Sequence, residues 1–289
     1  MKLSITLSPH YQPTAIRDLL ENEWLIPRKT RHFLRIRKNV TRNGKTAMFH
    51  DMAYPGDIIT LTFEAADYTQ PLIHPGKAKI INILWEDEHI IIVDKPAGVK
   101  THPNQPDEKN TLLNDLAAYL SPQNQLPYVV HRLDKETSGA ILFAKNPIIL
   151  PVLGRMLEQK KIQRTYEAEI VGHLPQKTII IDKPIGRHRH DRRKRVIDQK
   201  GGQRAITHVT EEAINSETSW VTCQLDTGRT HQIRVHLSSI GHPIVGDPLY
   251  QQQGKTAPRL QLHAKELSLI HPFTKVPVNI KTAHQLSEL

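Results

Sequence analysis

Apolar and polar residues alternate in many short runs from about residue 81 onward. The composition of short segments fits strands at residues 81–85, 89–94, 140–144, 166–171, 205–209 and 219–225. Residues 231–237 fit a strand and a helix equally well, and helical spacing is clear only at about residues 111–120 and 148–159. Many dispersed strands with few helices predict an α+β domain with a mixed, mostly antiparallel sheet.

The first 75 residues have a different pattern, with two helix candidates and short strands. Residues 14–24 have helical spacing with Thr14 as a possible cap, and residues 27–38 form a second, basic helix candidate. Asn43-Gly44 predicts a tight turn between short strands, and residues 58–63 alternate like an edge strand. Residues 64–80 lack periodicity and predict a linker. We therefore expect a small N-terminal α/β domain at 1–75 and a second domain at 76–289.

The net charge of +10 is concentrated in two stretches of the chain. Residues 28–45 contain eight Lys or Arg and no acid, and residues 183–204 contain nine cations and two acids. Two dense basic stretches favour a polyanion such as nucleic acid, and the alternative is a pair of solvated surfaces. The candidate RNA contacts are Arg28, Lys29, Arg31, Arg35, Arg37, Lys38, Arg192, Arg193 and Arg195.

The single cysteine, Cys223, excludes an internal disulfide and a cysteine-rich metal site. It lies in an alternating segment, which predicts a buried thiol. No apolar run is long enough to cross a membrane, and the N-terminus has no signal-peptide pattern. These features predict a cytoplasmic protein.

The stretch HRLDKETSGAILFAKN, residues 131–146, places one carboxylate among several cations. Asp134 has His131, Arg132, Lys135 and Lys145 nearby in sequence, and an apolar strand follows. On charge alone, a structural ion pair and a catalytic carboxylate are equally good interpretations of Asp134.

Two further segments carry candidate chemistry. In DEHIIIVDKPAGVKTHP, residues 87–103, Lys95 ends a strand and either belongs to a structural turn or contacts a phosphate. In LDTGRTHQIRVHL, residues 225–237, Arg229 and Arg234 flank polar residues. Arg229 is the candidate that keeps Asp134 ionised, and surface phosphate binding is the alternative.

Together these three segments resemble the motifs of the RluA/RluD family of pseudouridine synthases. The segment RTYEAEIVG, residues 164–172, is similar to the family's tyrosine segment, and RLQLHA, residues 259–264, is similar to its C-terminal one. The resemblance covers about residues 81–275, with small departures at Lys135-Glu136 and Arg164. Residues 27–61 resemble the S4-like (alpha-L) RNA-binding domain.

The resemblance implies a reaction that detaches uracil from ribose, rotates it and rejoins it through carbon in place of nitrogen. It implies that Asp134 is catalytic, as nucleophile or as base, with Arg229 as its cation and Tyr166 stacked on the base. A buried structural tyrosine is the alternative for Tyr166. Arg132 is expected to fill the space of the flipped uridine, and Ile233 to line the pocket. His131 and Lys95 complete the predicted substrate-binding set. No cofactor and no metal are expected.

The sequence thus predicts a two-domain RNA pseudouridine synthase, which we expect to be a monomer. Ribosomal RNA of the large subunit is the expected substrate, and transfer RNA is the second choice. A non-catalytic RNA-binding or ribosome-assembly protein on the same fold is the main alternative. A DNA-binding protein is disfavoured because no helix-turn-helix pattern is present.

Overall fold

Short strands dominate the computed structural model, which describes residues 1–78, 81–105 and 107–283. The helices are α1 (Ile16–Asp18, continued by a π-helical turn at Leu19–Glu23), α2 (Arg28–Ile36), α3 (Leu112–Leu120), α4 (Ile149–Glu158) and α5 (Gln232–Ser238). The first nine strands are β1 (Lys2–Thr6), β2 (Thr14–Ala15), β3 (Val40–Arg42), β4 (Lys45–Thr46), β5 (Met52–Ala53), β6 (Ile58–Thr62), β7 (Asn82–Glu86), β8 (Ile90–Lys95) and β9 (Tyr128–Val129). The remaining strands are β10 (Ser138–Ala144), β11 (Ile162–Val171), β12 (Thr178–Asp182), β13 (Ile185–Arg187), β14 (Arg195–Ile197), β15 (Ile206–Ile214), β16 (Thr218–Leu225), β17 (Leu262–Ile270) and β18 (Pro277–Lys281).

The N-terminal unit contains a four-stranded sheet in the order β1-β6-β3-β4. Asn43 and Gly44 both have positive φ, as the predicted tight turn between β3 and β4 requires. Two expectations were wrong. The strand β6 was predicted at an edge, but it lies inside the sheet because it pairs with β1 on one side and with β3 on the other. Thr14 does not cap α1; it pairs with Ala53 in a two-stranded ladder.

The larger sheet has the order β12-β15-β16-β11-β17-β10-β8-β7, with β18 beside β17 and β9 beside β10. All of its ladders are antiparallel except the short parallel pairing of β10 with β17. This confirms the predicted mixed, mostly antiparallel α+β domain. The sequence pattern did not identify β12, β17 and β18, nor the hairpin of β13 and β14.

Alternate residues of β8 and β10 face opposite sides of the sheet, as the period of a strand requires. Ile91 and Phe143 pack with α3 on one side, whereas Ile92 and Leu142 pack with α4 on the other. Both faces of these strands are therefore buried, which explains why the segment 138–144 is apolar or small throughout.

The N-terminal unit packs into the same core as α4. The Trp24 ring meets the Phe273 ring edge-on at 5.3 Å between centroids, and the Tyr11 hydroxyl donates to the Phe273 carbonyl at 2.6 Å. The Arg155 guanidinium on α4 donates to the Leu25 carbonyl at 3.2 Å. The predicted boundary at residue 75 thus separates two segments with different sequence patterns, and residues of both segments belong to one apolar core.

None of the described helices is both long and apolar enough to cross a membrane. Cys223 is fully buried in β16, as predicted.

Candidate active site

Asp134 lies in the loop between β9 and β10, at the wall of a cavity of about 480 Å³. Its side chain is 15% exposed, so the carboxylate is largely withdrawn from water but open to the cavity. Residues of the sequence motifs that line the same cavity include Arg132, Tyr166, Arg229, His231, Ile233 and Arg234.

The segment Thr137-Ser138-Gly139 fixes the loop onto the sheet. The Thr137 amide donates to the Asp134 carbonyl at 3.2 Å, which closes a turn. Gly139 has φ +111°, and a Cβ there would lie 2.6 Å from the Ala264 backbone nitrogen. Only glycine allows β10 to approach β17 this closely. The Ser138 hydroxyl lies 2.8 Å from the His263 imidazole of β17. The loop that carries Asp134 is therefore tied directly to β17, where β10 and β17 pair.

Lys95 supports the same loop from the other side. Its side chain is fully buried, and Nζ donates to the carbonyls of Pro96, Val99 and Lys135 at 2.9, 2.6 and 3.0 Å. Burial lowers the pKa of Lys95 to about 8. The Thr101 hydroxyl donates to the Leu133 carbonyl at 2.8 Å. The ammonium of Lys95 is therefore engaged by backbone next to Asp134, and the predicted contact of Lys95 with substrate stays a prediction.

The cation that pairs with Asp134 is Arg234. Its Nη1 donates to Asp134 Oδ2 at 3.3 Å, while Nε and Nη2 donate to the two oxygens of Asp247 at 2.8 Å each. The Arg234 side chain is only 4% exposed. Burial by itself lowers the pKa of Arg234, but the hydrogen bonds and charge of Asp247, with the charge of Asp134, raise it above its ordinary value. Arg234 is therefore a permanent cation held by two carboxylates.

The predicted pairing of Arg229 with Asp134 is wrong. Arg229 lies in the loop before α5, where its exposed side chain donates from Nε to the Arg204 carbonyl at 3.0 Å. Its backbone amide donates to the buried Gln232 side chain, which fixes the turn. Arg229 still lines the cavity, at its rim. The correction follows from α5: a helix directs Arg234 inward and leaves Arg229 in the preceding loop.

Cations near Asp134 in sequence also have other partners. Lys145 is buried and donates to Glu86 Oε1 at 2.6 Å, and Lys135 is exposed near Glu136. His131 is buried, and its Nε2 accepts the Leu142 amide at 3.2 Å. Burial lowers the pKa of His131 to about 3, so its imidazole is neutral. His131 thus supports β10 from the cavity wall, and its predicted contact with substrate stays a prediction. Arg132 is exposed at the cavity.

Tyr166 and Ile233 form an apolar wall of the cavity. Tyr166 is 5% exposed on β11, immediately after a register shift between Thr165 and Tyr166. Such irregularities re-aim a side chain. Burial raises the pKa of Tyr166, so its phenol keeps its proton at neutral pH. Ile233 is 4% exposed on α5. Together they offer a flat ring and an aliphatic side chain in the cavity that Asp134 also lines.

Arg31, Arg37 and Arg193, three of the predicted RNA contacts, pair with acids of the chain. Arg31 pairs with Glu21, Arg37 donates to both oxygens of Asp67, and Arg193 donates to Asp191 at 2.9 Å. Their charges are partly neutralised, which weakens the prediction for these three. The exposed cations on or next to α2 are Arg28, Lys29, Arg35 and Lys38.

The second basic stretch contains a hairpin. The strands β13 and β14 pair antiparallel, and we call residues 185–197 the basic hairpin. Arg192 is exposed at its tip, and Arg195 Nη1 donates to the Arg192 carbonyl at 3.2 Å.

Sequence reasoning missed His231, Asp247 and Tyr250. His231 Nε2 lies 3.8 Å from Asp134 Oδ2, and its Nδ1 lies 2.8 Å from the Tyr250 hydroxyl. Residues three apart on a helix share a face, so a helical interpretation of 231–237 would have paired His231 with Arg234. No comparable signal in the sequence identifies Asp247 or Tyr250, because they come from a separate loop.

Comparisons with known proteins agree with this geometry. A family model described as RNA pseudouridylate synthase matches residues 89–239, and one described as RluD ribosomal pseudouridine synthase N-terminal domain matches residues 3–59. The RNA pseudouridine synthase YhcT of Bacillus subtilis (strain 168) is 40% identical, over 80% of this chain and 77% of that protein. Ribosomal large subunit pseudouridine synthase D of Nitrosomonas europaea is 41% identical, over 70% of this chain and 61% of that protein. The structure of human RNA Pseudouridylate Synthase Domain Containing 1 matches with a TM-score of 0.57 at 28% identity, over 73% of this chain and 86% of that one.

Proposed function

Because the chain belongs to the RNA pseudouridylate synthase family and is an RNA pseudouridine synthase, we propose that it modifies large-subunit ribosomal RNA with Asp134 as the catalytic carboxylate. One observation carries this proposal: Asp134 is 15% exposed at the cavity and pairs with the buried Arg234. Arg234 thus places a permanent positive charge beside a carboxylate that is largely withdrawn from water.

The contacts of Asp134 leave one oxygen for chemistry. Arg234 and His231 both approach Oδ2, so Oδ1 is the atom that would meet the ribose. Attack on the ribose and removal of a ribose proton both use such an ionised oxygen, and they remain alternatives. Isomerisation of uridine to pseudouridine adds and removes no atoms, and the carboxylate is regenerated at the end.

The apolar wall supports a binding site for the detached uracil. Tyr166 offers a ring for stacking, and Ile233 lines the same cavity. A uridine in folded RNA must leave its stack before it reaches a cavity of this kind. Arg132 is exposed at the cavity, where its guanidinium is suited to fill the vacated position in the RNA.

RNA contacts outside the cavity are proposed for two surfaces. One consists of Arg28, Lys29, Arg35 and Lys38 in the N-terminal unit, which we regard as an S4-like domain within residues 1–75. The other is the basic hairpin, with Arg192 and Arg195. Clusters of exposed cations bind phosphates without reading sequence, so these surfaces supply affinity and orientation.

Ribosomal RNA is favoured over transfer RNA because relatives such as the Nitrosomonas europaea protein are named ribosomal large subunit pseudouridine synthases, and because the N-terminal residues match the RluD N-terminal domain. This substrate is consistent with a cytoplasmic monomer in a bacterium. The non-catalytic alternative has no support, since the cavity contains an intact carboxylate and its cation.

Substitution of Asp134 tests the proposal. Asp134→Asn keeps the shape and the hydrogen bond to Arg234 but removes the charge. We expect no release of tritium from the uracil carbon that becomes bonded to ribose, with RNA affinity retained. Asp18→Asn, which neutralises an exposed carboxylate beside Arg17, is the matched control. An active Asp134→Asn enzyme would refute the assigned role. Mapping pseudouridines in ribosomal and transfer RNA of a deletion strain and its parent identifies the target.

A further inference from the structure

Tyr250 lies between the basic hairpin and the carboxylate of Asp134. The backbone amide of Arg195 in β14 donates to the Tyr250 hydroxyl at 2.7 Å. The same hydroxyl lies 2.8 Å from Nδ1 of His231, whose Nε2 lies 3.8 Å from Asp134 Oδ2. A continuous chain of polar contacts therefore runs from the hairpin backbone to the catalytic loop.

The hydrogen positions along this chain follow from its donors. A backbone amide can only donate, so the Tyr250 oxygen accepts from Arg195 and its own hydrogen is free to donate to His231 Nδ1. Burial lowers the pKa of His231 despite the charge of Asp134, so its imidazole is neutral. Its one hydrogen then lies on Nε2, the nitrogen that faces Asp134.

The ring of Tyr250 is held as firmly as its hydroxyl. The Arg234 guanidinium lies over the ring, 5.1 Å from its centroid. The ring packs against a small apolar cluster that contains Ile185 and Ile197 of the hairpin and Val235 of α5. The Tyr250 amide donates to Asp247 Oδ1 at 3.2 Å. One side chain therefore contacts the hairpin and both residues that approach Asp134.

His231 has a backbone conformation that fits a positioning role. Its φ of +58° is in the left-handed region, which is uncommon for a residue with a side chain. Strain of this kind is concentrated at functional sites, where surrounding contacts maintain it. Here it directs the imidazole between Tyr250 and Asp134.

We propose that Tyr250 is a positioning residue that couples the docking of the basic hairpin on RNA phosphates to the hydrogen bonding of Asp134 by His231. The 3.8 Å between His231 and Asp134 exceeds a hydrogen bond, and a shift of roughly 0.6–1 Å completes one. Contacts of a reacting group commonly tighten in this way when the substrate binds. Arg195 transmits the shift, since its side chain donates to the Arg192 carbonyl and its amide to Tyr250. The inference rests on the proposed function.

The test is a double-mutant cycle between Tyr250→Phe and Arg192→Gln. Tyr250→Phe keeps the ring on Arg234 and removes only the hydroxyl. Single-turnover rates are measured at saturating, transcribed large-subunit ribosomal RNA, together with the dissociation constant. We expect Tyr250→Phe to slow the rate about 5- to 10-fold, the effect of one lost hydrogen bond, with less than a 2-fold change in the dissociation constant. Arg192→Gln should slow the rate of the wild-type enzyme but not that of the Tyr250→Phe enzyme.

Tyr119→Phe is the matched control. It removes a hydroxyl that donates to Glu86 at 2.9 Å, and neither residue lines the cavity. It should leave the single-turnover rate unchanged. Rate losses for Tyr250→Phe and Arg192→Gln that simply multiply would overturn the coupling, as would an unaffected Tyr250→Phe enzyme.

A second measurement separates this inference from the proposed function. Nitrogen NMR of the His231 imidazole reports which nitrogen carries the hydrogen, independently of turnover. We expect hydrogen on Nε2 in the wild type, a spectral change when the transcript binds, and no such change in Tyr250→Phe. If the wild type forms no pseudouridine, the proposed function fails, and the NMR result alone decides the coupling. An imidazole signal that does not respond to RNA in the wild type would overturn it.

Discussion

The pairing of Asp134 with Arg234 leads to a prediction that separates two arginines of one motif. Arg234→Lys and Arg229→Lys both keep a positive charge in the segment 225–237. The lysine at 234 is a point charge that cannot donate to Asp134 and to both oxygens of Asp247 at once. The lysine at 229 replaces a side chain whose hydrogen bond is to a backbone carbonyl on the exposed rim.

The expected size of the effect follows from the geometry. At 3.3 Å between Arg234 Nη1 and Asp134 Oδ2, an effective dielectric constant of about 20 gives an attraction of roughly 5 kcal/mol. Part of this is offset by desolvation, and losing one partner of a buried pair costs about 3–5 kcal/mol. If about 3 kcal/mol falls on the transition state, the rate falls roughly 100-fold. Arg229 makes no ion pair within the described residues, so we expect a loss of no more than about 5-fold for Arg229→Lys.

Single-turnover pseudouridine formation at saturating RNA measures both variants, and chemical denaturation of each shows whether the fold is retained. Arg234→Lys should also lower the free energy of unfolding, because Asp247 is fully buried and loses its two-point contact. The reasoning is refuted if Arg229→Lys loses more activity than Arg234→Lys. That order of effects would restore Arg229 as the partner that the sequence motif indicated.

Three further predictions concern the support of the site, an RNA surface and the apolar core that the N-terminal unit shares. Gly139→Ala should lower the free energy of unfolding by at least about 3 kcal/mol, because residue 139 has a positive φ and a Cβ there would collide with the Ala264 backbone. Gly154→Ala on α4 is the control, since a Cβ there meets open space. In the same denaturation assay it should raise the free energy of unfolding by about 0.5–1 kcal/mol. Replacing the four exposed cations Arg28, Lys29, Arg35 and Lys38 by Gln should reduce the slope of log affinity against log salt by about 3; an unchanged slope would exclude this surface from the RNA interface. Trp24→Ala should lower the free energy of unfolding by about 3–5 kcal/mol within a single transition; a separate early transition for the N-terminal unit would contradict the shared core.

The strand-rich domain could be predicted because its signal is local. The β-branched apolar run at 89–94 and the alternation along 166–171 are both local features of strands, and the structure has strands there. The tight turn at Asn43-Gly44 is equally local, since both residues tolerate positive φ. The position of β6 inside its sheet depends on distant strands, and the pattern of 58–63 could not reveal it.

The partner of Asp134 could not be identified for a related physical reason. The sequence shows which cations are near in the chain, but a partner is chosen by side-chain direction. Residues 231–237 were ambiguous between strand and helix, and only the helix directs Arg234 toward Asp134, with His231 just before its first residue. Arg234 therefore points inward because residues 232–238 form a helix and not a strand.

The two interpretations of Asp134, a structural ion pair and a catalytic carboxylate, are not alternatives in this fold. The loop is held through its backbone, by Lys95 at Lys135, by Thr101 at Leu133 and by the turn to Thr137. Asp134 is thus not needed to hold its own loop, and its ion pair is free to serve another purpose. Arg234, in turn, is anchored by Asp247 whether or not Asp134 is charged. Since each partner has independent support, the pair can fix the direction of a carboxylate that still faces an open cavity.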